Sequence, residues 1–261
     1  AVNRALPEGE KVSTVMRSWS SGAPSLLVFQ CKLFMDKSIM HSEDPVVQKL
    51  IFLQAVHQVI TAEYPCTQSD ACKLGALQIQ MRYGDHNPAV HKAGFLDKKI
   101  AEFIPARLLR QNRKVTIDEW ENMLYGMHER LAGTPTAVCR QQYMTQVQKW
   151  DFYGNSFFTA EQSQFKKLPP TVVLGIGCNG VRILKRETKE MLMRFDLKDI
   201  YRWGFKPAEN FYFEIKKTGS GSVRPSRRVL SPAPPSASVL RPYRMRLRFC
   251  RGVPRRLRRA A

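Results

Sequence analysis

The sequence predicts an α+β chain in which an all-helical bundle precedes an antiparallel β-domain. Between residues 44 and 149, apolar residues recur at spacings of three and four, punctuated by capping residues, glycine and proline. At Asp151 the period changes to two, and short aromatic and β-branched runs follow one another with turn signals between them. The 261 residues, 43% of them hydrophobic, suffice to bury a core.

Residues 1–43 read as the end of a preceding unit. Val15-Met16 and Trp19 make a short apolar cluster, Ser20-Ser21-Gly22-Ala23-Pro24 a turn, and Leu26–Phe29 a strand. The chain opens at Ala1 and is expected to be a piece of a longer protein. Asp44 and Pro45 then suit the cap and first position of a helix. Val46, Leu50, Leu53 and Ile60, with Val47 and Ile51 beside them, give that helix its expected buried face, up to about Tyr64. Residues 68–83 carry two stripes, Leu74-Leu77-Met81 and Cys72-Ala76-Ile79-Tyr83, the pattern of a helix in the middle of a bundle. Gly84-Asp85-His86-Asn87-Pro88 breaks it. A shorter helix is expected at Lys98–Phe103. Thr116 with Glu119 forms a capping box opening Ile117, Trp120, Leu124, Met127 and Leu131, and Gly133 ends that helix. Cys139, Tyr143, Val147 and Trp150 mark the last helix of the bundle.

The β-domain opens with Phe152–Thr159. Thr171–Ile176 and the segment after Asn179-Gly180 read as a hairpin. Met193, Phe195 and Leu197 alternate with polar residues, as do Phe211, Phe213 and Ile215. From Gly219 the chain is rich in Arg, Pro, Ser and Ala, and residues 219–261 are expected to be a disordered basic tail. Pro225, Pro232, Pro234, Pro235, Pro242 and Pro254 forbid a long helix there. Arg244, Arg246 and Arg248 alternate with Met245, Leu247 and Phe249, which allows at best one short strand.

The net charge of +20 belongs mostly to this tail. Residues 216–261 hold 14 of the 42 basic residues and no acidic one, and the rest of the chain is nearly balanced. Such a tail could bind nucleic acid, with Arg255-Arg256-Leu257-Arg258-Arg259 as its densest cluster, or anionic lipid. An Arg/Pro/Ala-rich end is also what a shifted reading frame produces, and this reading is preferred. The six cysteines show no zinc-ribbon spacing. Cys66, Cys72, His86 and His91 make only a loose four-ligand set, so no metal is expected. Gly175-Ile176-Gly177-Cys178-Asn179-Gly180 fits the dinucleotide fingerprint, but an extended segment follows it where the motif needs a helix. None of the five histidines stands beside a nucleophile motif, and no catalytic constellation is found. No cofactor is expected. No apolar run approaches the ~18 residues a membrane helix needs.

The motifs in this order resemble the FERM module. Leu53-x-Ala55-Val56-x-x-Val59-Ile60, Tyr64-Pro65-Cys66, Asp70-Ala71-x-x-Leu74-x-Ala76-Leu77-Gln78 and Gly84-Asp85 are similar to the helical lobe in the tails of unconventional, MyTH-FERM myosins. Tyr153-Gly154-x-x-Phe157-Phe158, Gly175-Ile176, Glu187–Glu190, Ile200-x-Arg202-Trp203 and Phe211–Ile215 resemble the third lobe of those tails and of talin. The resemblance implies the end of a ubiquitin-like first lobe over 1–43 and an acyl-CoA-binding-protein-like second lobe over 44–150. Over 151–218 it implies a PH/PTB-like third lobe, incomplete at its C-terminal end because the expected closing helix has no counterpart. Without that helix, Phe211, Phe213 and Ile215 are expected to lose their cover and expose apolar surface.

The implied function is a non-enzymatic adaptor in the cytoplasm, at the cytoskeleton or the inner face of the plasma membrane. Its implied partners are cytoplasmic tails of membrane proteins or cargo peptides, anionic phospholipid, and the cytoskeleton through other parts of the parent protein. Nucleic acid is the distant alternative. The open edge for an added peptide strand is expected at Phe211–Lys216, giving Phe211, Tyr212, Phe213 and Glu214 as contacts with Arg202 and Trp203 nearby. Phe165, Lys166 and Lys167 are the implied membrane contacts.

Overall fold

A computed structural model describes residues 9–17, 27–31, 34, 42–162, 165–206, 210–215 and 243–249, and only the backbone at 205–206, 210–211 and 243–249. Residues 28–155 form one compact unit, and residues 156–261 with 1–27 form another. Helix α1 spans Val12–Arg17, so Val15-Met16 are helical. Leu27–Phe29, expected to be a strand, join no ladder among the described residues. Trp19 and Leu26 lie outside those residues.

In the helical unit, α2 (Pro45–Ile60) begins where the Asp44 carboxylate accepts the Val46 N–H at 2.7 Å. Its buried face differs from the expected one. Ile51, Phe52, Ala55 and Val59 are buried, whereas Val46, Leu50 and Leu53 are exposed. Apolar residues surround this helix, so spacing alone offered two faces. The face that packs also carries Gln54, whose amide bonds both the N–H and the C=O of Cys31, and Phe52, which meets Tyr143 edge-on at 5.3 Å.

Helix α3 (Gln68–Tyr83) is capped by the Thr67 hydroxyl, which accepts the Asp70 N–H. Both of its stripes are buried up to Ile79, with Met81 and Tyr83 half-buried at the end, on a helix that touches α4 (Ile100–Phe103), α6 (Ile117–His128) and α7 (Thr136–Gln148). A short α5 (Ala106–Gln111), absent from the sequence reading, lies between α4 and α6. The Thr116–Glu119 capping box is fully formed and aims Trp120 and Leu124 into the core, while Ile117 stays exposed. Cys139, Tyr143 and Val147 form the buried face of α7.

The β-unit contains β1 (Ser156–Glu161), β2 (Thr171–Gly177), β3 (Gly180–Lys185), β4 (Met191–Asp196), β5 (Ile200–Lys206), β6 (Asn210–Ile215) and β7 (Tyr243–Phe249). All pairings are antiparallel, in the order β4-β3-β2-β1-β7-β6-β5. Strand β1 starts later than expected because a turn closes first, with the Asn155 N–H donating to Phe152 O. Leu197 falls in a 3₁₀ turn after β4 and is exposed. Gly180 follows the tight turn between β2 and β3. Its φ is +118°, and an added Cβ would stand 2.1 Å from Phe195 O on β4, so only glycine fits. Ala160, Val172, Leu174, Val181, Ile183, Phe195 and Phe213 form the core.

Strand β7 corrects two expectations and is the one short strand that the alternation at 244–249 allowed. It lies within the segment expected to be disordered. Its alternation matches the pleat: Met245 pairs with Phe213 and Phe249 with Ala160, both core residues, while Arg244 pairs with Glu214 and Arg248 with Glu161. The strand flanks β6, and Phe213 is only 1% exposed, so that residue keeps its cover. The rest of the tail, and the question of a closing helix, lie outside the described residues.

Candidate functional site

Strand β6 is paired on both sides, with β5 and with β7. The open edge expected at Phe211–Lys216 is therefore not there. Among the described residues the two free edges are β4 and β5. Of these, β5 carries the large exposed side chains.

The sequence of β5 explains its shape. Ile200, Tyr201, Trp203 and Phe205 favour extended backbone. A bulge between Ile200 and Arg202 leaves Tyr201 as the extra residue, and its side chain is exposed. Trp203 is opposite Phe213 and so shares its face, yet Trp203 is 48% exposed, because no further strand covers the outer side of β5. On the opposite face, Arg202 Nη2 reaches Glu214 Oε1 at 3.3 Å. The arginine is mostly exposed and the carboxylate buried, so the pair contributes modestly, up to about 1 kcal/mol. Gly204 lies under Tyr212, whose hydroxyl is 2.8 Å from where a Cβ would stand; the aromatic ring covers a position that glycine leaves bare.

The structure thus gathers Arg202, Trp203, Tyr212 and Glu214 at one edge. It withdraws Phe213 into the core, and the Phe211 side chain lies outside the description. Tyr201, which the sequence reading passed over, joins the edge; the run Ile200–Phe205 carries the strand signal that would have found it. At the other candidate site, Phe165 packs against the core, while Lys166 and Lys167 are exposed. Gln162 shapes that loop by donating to Leu168 O and Pro169 O and accepting the Phe165 N–H.

Residues 175–180 belong to the β2–β3 hairpin, and a strand stands where a dinucleotide site needs a helix N-terminus. Among the described residues no group of His, Cys, Asp and Glu could hold a metal ion. Cys72 sits in the helical core and Cys66 packs against it, and burial pushes their thiols up to about 11 and about 12. No helix among the described residues is long and apolar enough to cross a membrane.

A helical unit followed by a seven-stranded antiparallel sheet with a free fifth strand defines the class as a FERM-type module. Residues 37–158 match the FERM central domain, and residues 157–224 match the PTB domain of IRS-1 type. Together these matches make residues 37–224 similar to the central and PTB-like parts of a FERM domain. Talin-B of Dictyostelium discoideum is 28% identical over 202 residues, covering 76% of this chain and 7% of that protein. FERM domain-containing protein B of the same organism is 31% identical over 211 residues, covering 73% of this chain and 42% of that protein. Among solved structures, a mutant MyTH4-FERM MF2 domain of Dictyostelium discoideum myosin VII superposes with a TM-score of 0.61 at 17% identity, covering 84% of this chain and 40% of that one. The chain therefore spans less than half the length of each of these relatives.

Proposed function

We propose that the chain is a non-enzymatic adaptor that captures an extended peptide on β5 and couples it to the cytoskeleton. On this reading residues 44–150 and 151–218 act as the second and third lobes of the module, with β7 added to the third. The observation that carries the reading is β5 itself. It offers a row of backbone N–H and C=O groups on its outer side, flanked by the half-exposed Trp203 and the exposed Arg202 and Tyr201. Backbone pairing supplies affinity in such an addition, and side chains beside the strand supply selection. Trp203 suits an apolar anchor on the peptide and Arg202 an acidic or carboxylate group. The peptides are cytoplasmic tails of membrane proteins or cargo. Lys166 and Lys167 add contact with anionic phospholipid, placing the protein at the inner face of the plasma membrane or on the cytoskeleton.

The test is an array of overlapping cytoplasmic-tail peptides probed with the full chain, followed by hydrogen exchange on each hit. Binding peptides should protect the β5 amides, and Trp203→Ala should weaken them about tenfold or more. Saturable peptides that leave β5 unprotected would overturn the placement. In parallel, vesicles containing phosphatidylserine should retain the chain, and Lys166→Glu with Lys167→Glu should reduce retention.

A further inference from the structure

Three of the five histidines meet inside the helical unit. His86 and His91 lie in the loop after α3, and His128 ends α6. Their ring centroids are 5.3 Å apart for His86–His91, 5.5 Å for His86–His128 and 5.3 Å for His91–His128. His91 and His128 are buried, and the His86 side chain is nearly so. Tyr83, Phe95 and Tyr125 pack their rings around the cluster.

The hydrogen bonds fix the neutral tautomers. His128 Nε2 donates to Gly84 O at 2.8 Å, so its Nδ1 carries a lone pair, and that buried atom has no partner. His91 Nδ1 accepts the Asn87 N–H at 3.0 Å. His86 Nδ1 lies 3.6 Å from Glu129 Oε1, and its buried Nε2 has no partner. A proton on His91 Nδ1 would displace the Asn87 bond. A proton on His128 Nδ1 would be buried among rings with no acceptor.

The surrounding charges do not offset this. Asp85 is occupied by Gln80 and the Gly133 N–H, and Glu121 by the Gly94 and Leu96 N–H groups. Glu129 stands at the solvent rim beside His86, and its charge, like that of Asp85, raises His128 less than burial lowers it. Arg82 and Lys99 lie over the Tyr83 ring and add positive charge nearby.

We propose that His91 and His128, packed against His86, form an acid-sensitive latch, which holds the 84–96 loop against α3 and α6 when they are neutral and releases it when they are protonated. The direction of titration agrees. Burial, then the neighbouring imidazoles, hold His91 below the ordinary 6.5. Burial also holds His128 below 6.5, against the raising effect of its bond to Gly84 O. Below 6.5 the unfolded chain therefore binds more protons than the folded one. The stability these groups contribute is present above 6.5 and is lost as the pH falls from there through the lower values of the folded chain.

The experiment is hydrogen exchange on the full chain at pH 7.5 and 5.5, corrected for the intrinsic rate. Protection of amides 84–96 should fall severalfold at the lower pH. Amides 171–185 of the β-unit should change far less. In the double variant His91→Gln with His128→Gln, the drop at 84–96 should shrink below about twofold. Should that variant fold poorly, an NMR titration of the native imidazoles decides: two rings should titrate below 6.5 and respond to each other. Unchanged protection at 84–96, an equal loss in the β-unit, or His91 and His128 titrating independently of each other without displacement from 6.5 would each overturn the latch.

Discussion

The helical unit and the β-unit solve the same problem with contacts of different range. In the helical unit α2, α3 and α6 are each capped by a side chain just before their first turn, and α3 gathers α4, α6 and α7. In the β-unit, β1 to β4 form a local meander, but β7 arrives from beyond residue 242 to pair with β6 and to meet β1 at two residue pairs. A helix closes its own backbone hydrogen bonds and keeps them when a distant terminus is lost. A sheet closed by a distant strand does not, because that strand supplies pairing to two neighbours at once.

Three perturbations sharpen this contrast. Ending the chain at Arg241 removes β7 and its five register pairs with β6. At roughly 1 kcal/mol for each backbone bond, the β-unit should lose about 5 kcal/mol. Hydrogen exchange should show β6 and β1 deprotected while α3 and α6 keep their protection. Equal loss in both units would break the comparison. Trp120→Ala strikes the other unit at a fully buried ring and should cost about 3–5 kcal/mol, read by helical circular dichroism in urea. Thr116→Ala removes one half of a capping box and should cost about 1 kcal/mol by the same measurement.

Legibility in the sequence followed the same divide. The α3 boundaries, the Thr116–Glu119 box and the β2–β3 turn were all readable because residues within four positions of each other decide them. The buried face of α2 was not, because apolar residues ring the helix and only Gln54 and Phe52, through Cys31 and Tyr143, distinguish the sides. At the candidate site, Arg202 and Trp203 were identified, but the free edge was assigned one strand too late. Which strand lies at an edge depends on β7; the alternation of Arg with apolar residues allowed a strand there, but nothing local shows that it pairs with β6. The histidine cluster left no signal either, since His128 lies 37 positions from His91 and only the fold joins them.

Strand β7 also sets a timetable for synthesis. Tyr243 leaves the ribosome 28 residues after Ile215. At about 5–20 residues per second the gap lasts roughly 1–6 s. Through that interval the helical unit has all its parts and can already be folded. The nascent β-unit meanwhile presents unpaired backbone on β6 and β1, the kind of surface that recruits other extended chains. A chaperone, or a neighbouring nascent chain, has its opportunity in those seconds, and slower elongation across 216–242 would prolong it.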